Sequence, residues 1–137
     1  MALLVYMTAA SADEAERIAG DLVESRLAAC VNVMAPIRSI YSWKGELCRS
    51  EEIPFIAKTD DDRFEALAAR VRALHSYETP CIVALPVARG DADFLAWITE
   101  STHPECGGQV FFFGQMACAP RGPEAELVFS LSWFSRW

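Results

Sequence analysis

The order in which hydrophobic periodicity changes along the chain limits its fold more than any single motif does. Residues 2–8 form a continuous apolar run, the pattern of a strand buried on both faces. Ser11-Ala-Asp-Glu14 has the form of a capping box, in which the Ser hydroxyl accepts from a backbone N–H and the Glu reaches back to the Ser N–H. Apolar positions at Ala15, Ile18, Ala19, Leu22 and Val23 then mark one face of a helix running to about Arg26. Residues 28–43 gather Val31, Val33, Ile37, Ile40, Tyr41 and Trp43, and Pro36 makes them one bent strand or two short ones. Lys44-Gly45 stands where a hairpin turn is needed, and residues 47–59 return as a strand. Pro54 cannot donate to a ladder, so a bulge or an unpaired position is expected there. Thr59-Asp-Asp-Asp62 places capping and acidic groups at a second helix start, and Phe64, Leu67, Ala68, Val71 and Leu74 give its stripe. His75-Ser-Tyr-Glu-Thr-Pro80 ends that helix. Residues 81–87 form another apolar strand, and Gly90-Asp91 opens a third helix bearing Phe94, Trp97 and Ile98.

This β-α-β-β-α-β order, followed by a helix, predicts an α+β fold of the ferredoxin-like kind. Its core is a four-stranded antiparallel sheet with two helices on one face. The other face is left bare while carrying apolar residues, so self-association is expected to cover it. Residues 1–103 make this domain. Residues 104–137 differ: they hold seven aromatic residues and only five charges, punctuated by Gly107-Gly108 and Pro120-Arg-Gly-Pro123. Segments 110–113 and 127–131 read as short extra strands. The extension either covers apolar surface or is coding beyond a lost stop.

Charge narrows the function. With 19 acidic and 12 basic residues the formal net charge is −7, against a nucleic-acid or anionic-membrane partner, since both require a basic surface. The N-terminus has no basic segment and too few apolar residues for a signal peptide or a span. The five cysteines, Cys30, Cys48, Cys81, Cys106 and Cys118, show neither zinc-site spacing nor a disulfide framework, so reduced thiols and a cytoplasmic location are expected.

Several segments carry a resemblance. Leu22-Val-Glu-Ser-Arg-Leu-Ala-Ala-Cys-Val-Asn32, Ser39-Ile-Tyr-Ser-Trp-Lys-Gly45, Lys58-Thr59, His75-Ser-Tyr-Glu-Thr-Pro80, Leu85-Pro86 and Phe94-Leu-Ala-Trp-Ile98 follow one another in order and spacing. Over residues 2–101 the chain resembles the CutA divalent-cation tolerance family. The resemblance implies a compact cytoplasmic homotrimer that responds to metal ions, copper or another divalent metal being its ligand, with no established reaction. Copper-binding members are described with a Cys ending the first strand and two consecutive His before the Tyr loop. Here those places hold Met7, Leu74 and His75. The family's loop reads His-Pro-Tyr, where this chain has Ser76, and the following strand carries Cys81 in place of a Glu.

The candidate metal ligands are therefore His75, Cys30 and Met7: an imidazole, a thiolate and a soft thioether suited to Cu(I). Each has a plainer reading, the His as a helix-end hydrogen-bonding group and the Cys as a small buried hydrophobe. The resemblance also groups Asn32, Tyr41, Trp43, Glu52, Lys58, Tyr77 and Glu78, with His75, near a cleft between subunits. They either bind a small ligand there or tie the trimer together. An enzyme is not expected. Acylphosphatase shares the fold but needs an Arg in the loop after the first strand, where this chain has Thr8-Ala-Ala-Ser11. The alternative function is a trimeric regulatory module resembling the PII signalling proteins, with a small ligand in its inter-subunit clefts.

Overall fold

A computed structural model describes residues 1–103. The strands and helices run β1 (Ala2–Ala9), α1 (Ala12–Glu24), β2 (Cys30–Val33), β3 (Ile37–Trp43), β4 (Glu46–Asp60), α2 (Phe64–Leu74), β5 (Ile82–Pro86) and α3 (Ala92–Thr102), with a short 3-10 turn at Asp61–Arg63 before α2. The readings of 110–113 and 127–131 as strands, and of 104–137 as an extension, lie outside the described residues.

The fold is α+β with an antiparallel sheet, in the order β2-β4-β1-β5, and β3 pairs with the outer half of β4. Pro36 divides the expected second strand in two, which makes five strands of four. The two pieces differ in register against β4. Val33 faces Phe55 while Ile37 faces Glu52, so residues 34–36 pass opposite only 53 and 54. The expected bulge therefore exists, but on the strand facing Pro54. The Pro54 carbonyl accepts from the Met34 N–H at 2.9 Å. In an antiparallel strand a residue's N–H and C=O point to the same side, so the missing N–H of Pro54 also faces this bypass. Pairing to β1 continues through Thr8 and Pro54 without a break.

β1 is not buried on both faces. Leu3, Val5 and Met7 point inward and are buried, whereas Leu4 and Tyr6 on the outer face are partly exposed. The inward set meets Phe55 and Ala57 of β4, Ile18 and Leu22 of α1, and Leu67 and Val71 of α2. Alternation with a helical layer on one side is what an antiparallel sheet with one covered face requires.

Helix ends follow local chemistry, with two departures. Ser11 caps α1 by accepting from Glu14 N–H at 3.2 Å, but Glu14 does not close the box. Its carboxylate instead accepts from the Ser76 N–H at 3.1 Å and the Ser76 hydroxyl at 2.8 Å, tying α1 to the loop after α2. The Asp run does not cap α2: β4 extends through Asp60, and α2 begins after Arg63 without a side-chain cap. Asp91 caps α3 through Phe94 N–H at 3.0 Å.

The end of α1 is a Schellman turn. Leu27 N–H bonds Leu22 C=O at 2.9 Å, Arg26 N–H bonds Val23 C=O at 3.1 Å, and Arg26 adopts φ 59°. A side chain in that left-handed position costs roughly 1–2 kcal/mol, which Gly avoids. Gly's greater chain entropy in the unfolded state takes back part of the gain. Arg26→Gly is expected to stabilise the protein by about 0.5–1 kcal/mol, read as a higher urea midpoint with unchanged slope.

Candidate functional site

Two groups of polar side chains stand out. The first surrounds a cleft of about 560 Å³ where the β3–β4 hairpin meets the loop after α2. Tyr41 and Trp43 of β3, Glu52 of β4, and Tyr77 and Glu78 of the loop all line it, together with Thr8 and Cys81. The hairpin turn holds Lys44 at φ 51° and Gly45 at φ 82°, two left-handed residues in succession, the geometry that matches strand twist. This sets the register that places Tyr41 opposite Cys48 and Trp43 opposite Glu46.

Glu52 is the charged centre of the cleft. Thr8 Oγ1 donates to its Oε1 at 3.2 Å. Burial, followed by the nearby Glu52 carboxylate to which the hydroxyl donates, pushes the Tyr77 phenol up to about 12. Burial and the same carboxylate push the Cys81 thiol up, so it stays a thiol at neutral pH.

His75 does not line the cleft, and both its ring nitrogens are engaged. The side chain is fully buried. Nε2 is 2.7 Å from the Thr8 carbonyl, which can only accept, so Nε2 carries the proton. Nδ1 accepts from the Tyr77 N–H at 3.0 Å, with Glu14 Oε1 3.2 Å away. No lone pair is left for a metal. The other two expected ligands are elsewhere: Met7 is wholly buried in the inner core, while Cys30 lies opposite Lys58 on the outer face of the sheet. A sheet separates them, and one ion cannot reach both. The set His75, Cys30 and Met7 is therefore corrected: it is not one metal site. The cause is strand periodicity, since residues facing opposite sides of a sheet cannot share an ion. Asn32 and Lys58 also stand on the outer face, where the Lys58 ammonium donates to the Asn32 side-chain carbonyl, and they do not line the cleft.

The second group, Asp60, Asp62 and His103, was hidden in the sequence. The two Asp read as helix-capping residues, and His103 follows the last helix with no spacing that links it to them. In the structure each offers one ligand atom within 4.8 Å of the others. His103 Nδ1 lies 3.0 Å from the Thr99 carbonyl and Nε2 lies 2.7 Å from Asp62 Oδ2. Hydrogen bonding to Asp62 raises the His103 pKa above its ordinary value, and the same contact lowers that of Asp62. Asp60 pairs with the Met1 ammonium at 3.3 Å. No described helix is long and apolar enough to cross a membrane.

The raised Tyr77 pKa has a measurable sign. The folded state holds the phenolic proton more tightly than the unfolded chain, whose tyrosine titrates near ~10. The contribution is complete below that pH and is lost as pH rises towards about 12. Tyr77→Phe should flatten the fall in stability above pH ~10 and remove the latest-titrating component of the ultraviolet phenolate signal.

Comparison with known proteins identifies relatives of this chain. The family model described as CutA1 divalent ion tolerance protein matches residues 3–101. The Divalent-cation tolerance protein CutA of Archaeoglobus fulgidus is 47% identical over 97 residues, 71% of this chain and 94% of that protein. A solved structure described as the periplasmic divalent cation tolerance protein CutA of the same organism aligns with a TM-score of 0.72 at 46% identity, covering 74% of this chain and 99% of the other. A rice relative, 36% identical over 73% of this chain and 56% of its own length, is called Protein CutA 1, chloroplastic. Relatives called periplasmic and chloroplastic overturn the expected cytoplasmic location: reduced-looking cysteines do not fix a compartment. By the span of the family model and the identity to these relatives, the chain belongs to the CutA1 divalent ion tolerance family.

Proposed function

We propose that this protein serves divalent-cation tolerance by binding a divalent metal ion at Asp60, Asp62 and His103, as a homotrimer with a binding rather than a catalytic role. The observation that carries the metal reading is the arrangement of His103. A ligating imidazole commonly donates its other ring N–H to a backbone carbonyl, and the Thr99 carbonyl stands at that nitrogen. The remaining nitrogen faces Asp62, where a metal ion would replace the shared proton. Asp60 Oδ2 lies 3.8 Å from His103 Nδ1, so Asp60 turns towards the ion at Nε2 on binding. The nitrogen and oxygen donors suit Cu²⁺ above Zn²⁺ or Mn²⁺, and the absence of sulfur from the set disfavours Cu(I). The family's name supports the same reading.

Calorimetric titration of the metal-free protein tests it. Cu²⁺ should bind more tightly than Zn²⁺. His103→Ala and Asp62→Asn should each lower affinity by about tenfold or more, with Cys30→Ser and His75→Ala neutral once their folding is confirmed. Unchanged affinity in both His103→Ala and Asp62→Asn would refute the assignment.

Trimer formation is supported by the outer sheet face. Leu4 lies opposite Leu85 and Tyr6 opposite Val83, and Val83 and Leu85 are 51% and 55% exposed in the single chain. Ile40 and Leu47 extend the apolar surface along the hairpin. Light scattering should give three times 15.2 kDa, and Leu85→Glu should shift the mass towards the monomer by burying a charge at the contact. A monomeric mass for the unaltered protein would refute the assembly.

One observation favours a second reading, a small-ligand module: the 560 Å³ cleft is of the size of small-molecule sites.

A further inference from the structure

The cleft combines two features that select one ligand chemistry. Glu52 and Glu78 contribute two carboxylates, and no Lys or Arg lines it. The neighbours of Glu52 there, the Thr8 and Tyr77 hydroxyls, are neutral donors, so its charge is solvated without being cancelled. The walls are aromatic: Tyr41, Trp43 and Tyr77. An aromatic face attracts a cation through its quadrupole, and the attraction grows where water is excluded.

An inorganic ion is a poorer match. Among the described residues the only close grouping of three His, Cys, Asp or Glu ligand atoms is Asp60, Asp62 and His103, away from the cleft. A bare divalent ion in the cleft would find too few ligands and would gain nothing from the rings. An organic cation uses both, placing its charge at the carboxylates and its methyl or methylene groups against the rings. The volume of about 560 Å³ admits a small molecule of that kind.

We propose that this cleft binds an organic cation, an alkylammonium or quaternary ammonium group held by Glu52 and Glu78 and enclosed by Tyr41, Trp43 and Tyr77. The proposal rests on the small-ligand reading of the cleft and is independent of the metal reading. Its probe is choline, set against 3,3-dimethylbutan-1-ol, a neutral molecule of the same shape. Both are titrated into the full-length protein in EDTA at low salt, followed by calorimetry and by NMR of backbone amides and indole N–H groups.

Choline should bind at least about tenfold more tightly than the neutral alcohol and shift the Trp43 indole and the amides of 76–79. Glu52→Gln and Glu78→Gln, near-isosteric changes, should each weaken choline by about tenfold without altering the light-scattering mass. The comparison of the two probes on the unaltered protein stands whether or not either variant folds. Equal affinity for the alcohol would overturn the cation proposal and leave a ligand cleft. Binding of neither probe, with the cleft amides unmoved, would overturn both, as would a side chain from a second copy filling the cleft in the assembly. Shifts confined to residues around Asp62 and His103 would also overturn the proposal.

Discussion

β4 carries the sheet, and its pairing on both edges is the constraint to which everything else conforms. Along its inner half it pairs with β1 on one side and β2 on the other, while its outer half pairs with β3 alone. On one edge the neighbour changes from β2 to β3 at Pro54, which has no N–H for that edge to satisfy. The outer half then projects as a hairpin arm. The arm brings Tyr41, Trp43 and Glu52 to the loop after α2, and so creates the cleft. A proline that reads as awkward within a strand is thus the joint between core and arm.

His75 shows how a residue of catalytic or ligating type becomes structural. Its two ring nitrogens join β1, through the Thr8 carbonyl, to the start of the loop, through the Tyr77 N–H. The ring packs against Tyr77 with centroids 4.7 Å apart. Glu14 reinforces the same loop through the Ser76 N–H. A proline at this position would offer no such donor. The floor of the cleft is therefore fixed by backbone-directed bonds, and its polar side chains project from a rigid support.

Much of the architecture was legible because periodicity and turn chemistry agreed. The stripe from Ala15 to Leu22, the Lys44-Gly45 turn and the Asp91 cap all fall where the sequence places them. The departures come from tertiary demand. Asp60 and Asp62 carry the composition of a helix cap, yet the pairing of β4 with β1 draws Asp60 into the strand, and both meet a histidine some forty residues later. No local pattern encodes that meeting. The candidate ligands divide for the converse reason. Met7 takes its place from the resemblance and Cys30 from its donor type, and neither says which side of a sheet a residue faces until register is known. The aromatic and acidic members of the cleft were easier to find, since a hairpin and one loop bring them together.

The separation of partners in the sheet has a consequence for how the protein is made. Ala2 pairs with Asp60, and Leu3 pairs with Pro86. The first strand leaves the ribosome with neither neighbour in existence, and at ~5–20 residues per second it waits for several seconds before β4 follows. It then waits again for β5 to cover its other edge. Such non-local closure slows folding relative to a helical protein of equal length. During that interval the chain exposes Leu3-Leu-Val-Tyr-Met7, an uncharged and strongly β-forming segment of the kind that nascent-chain chaperones shield.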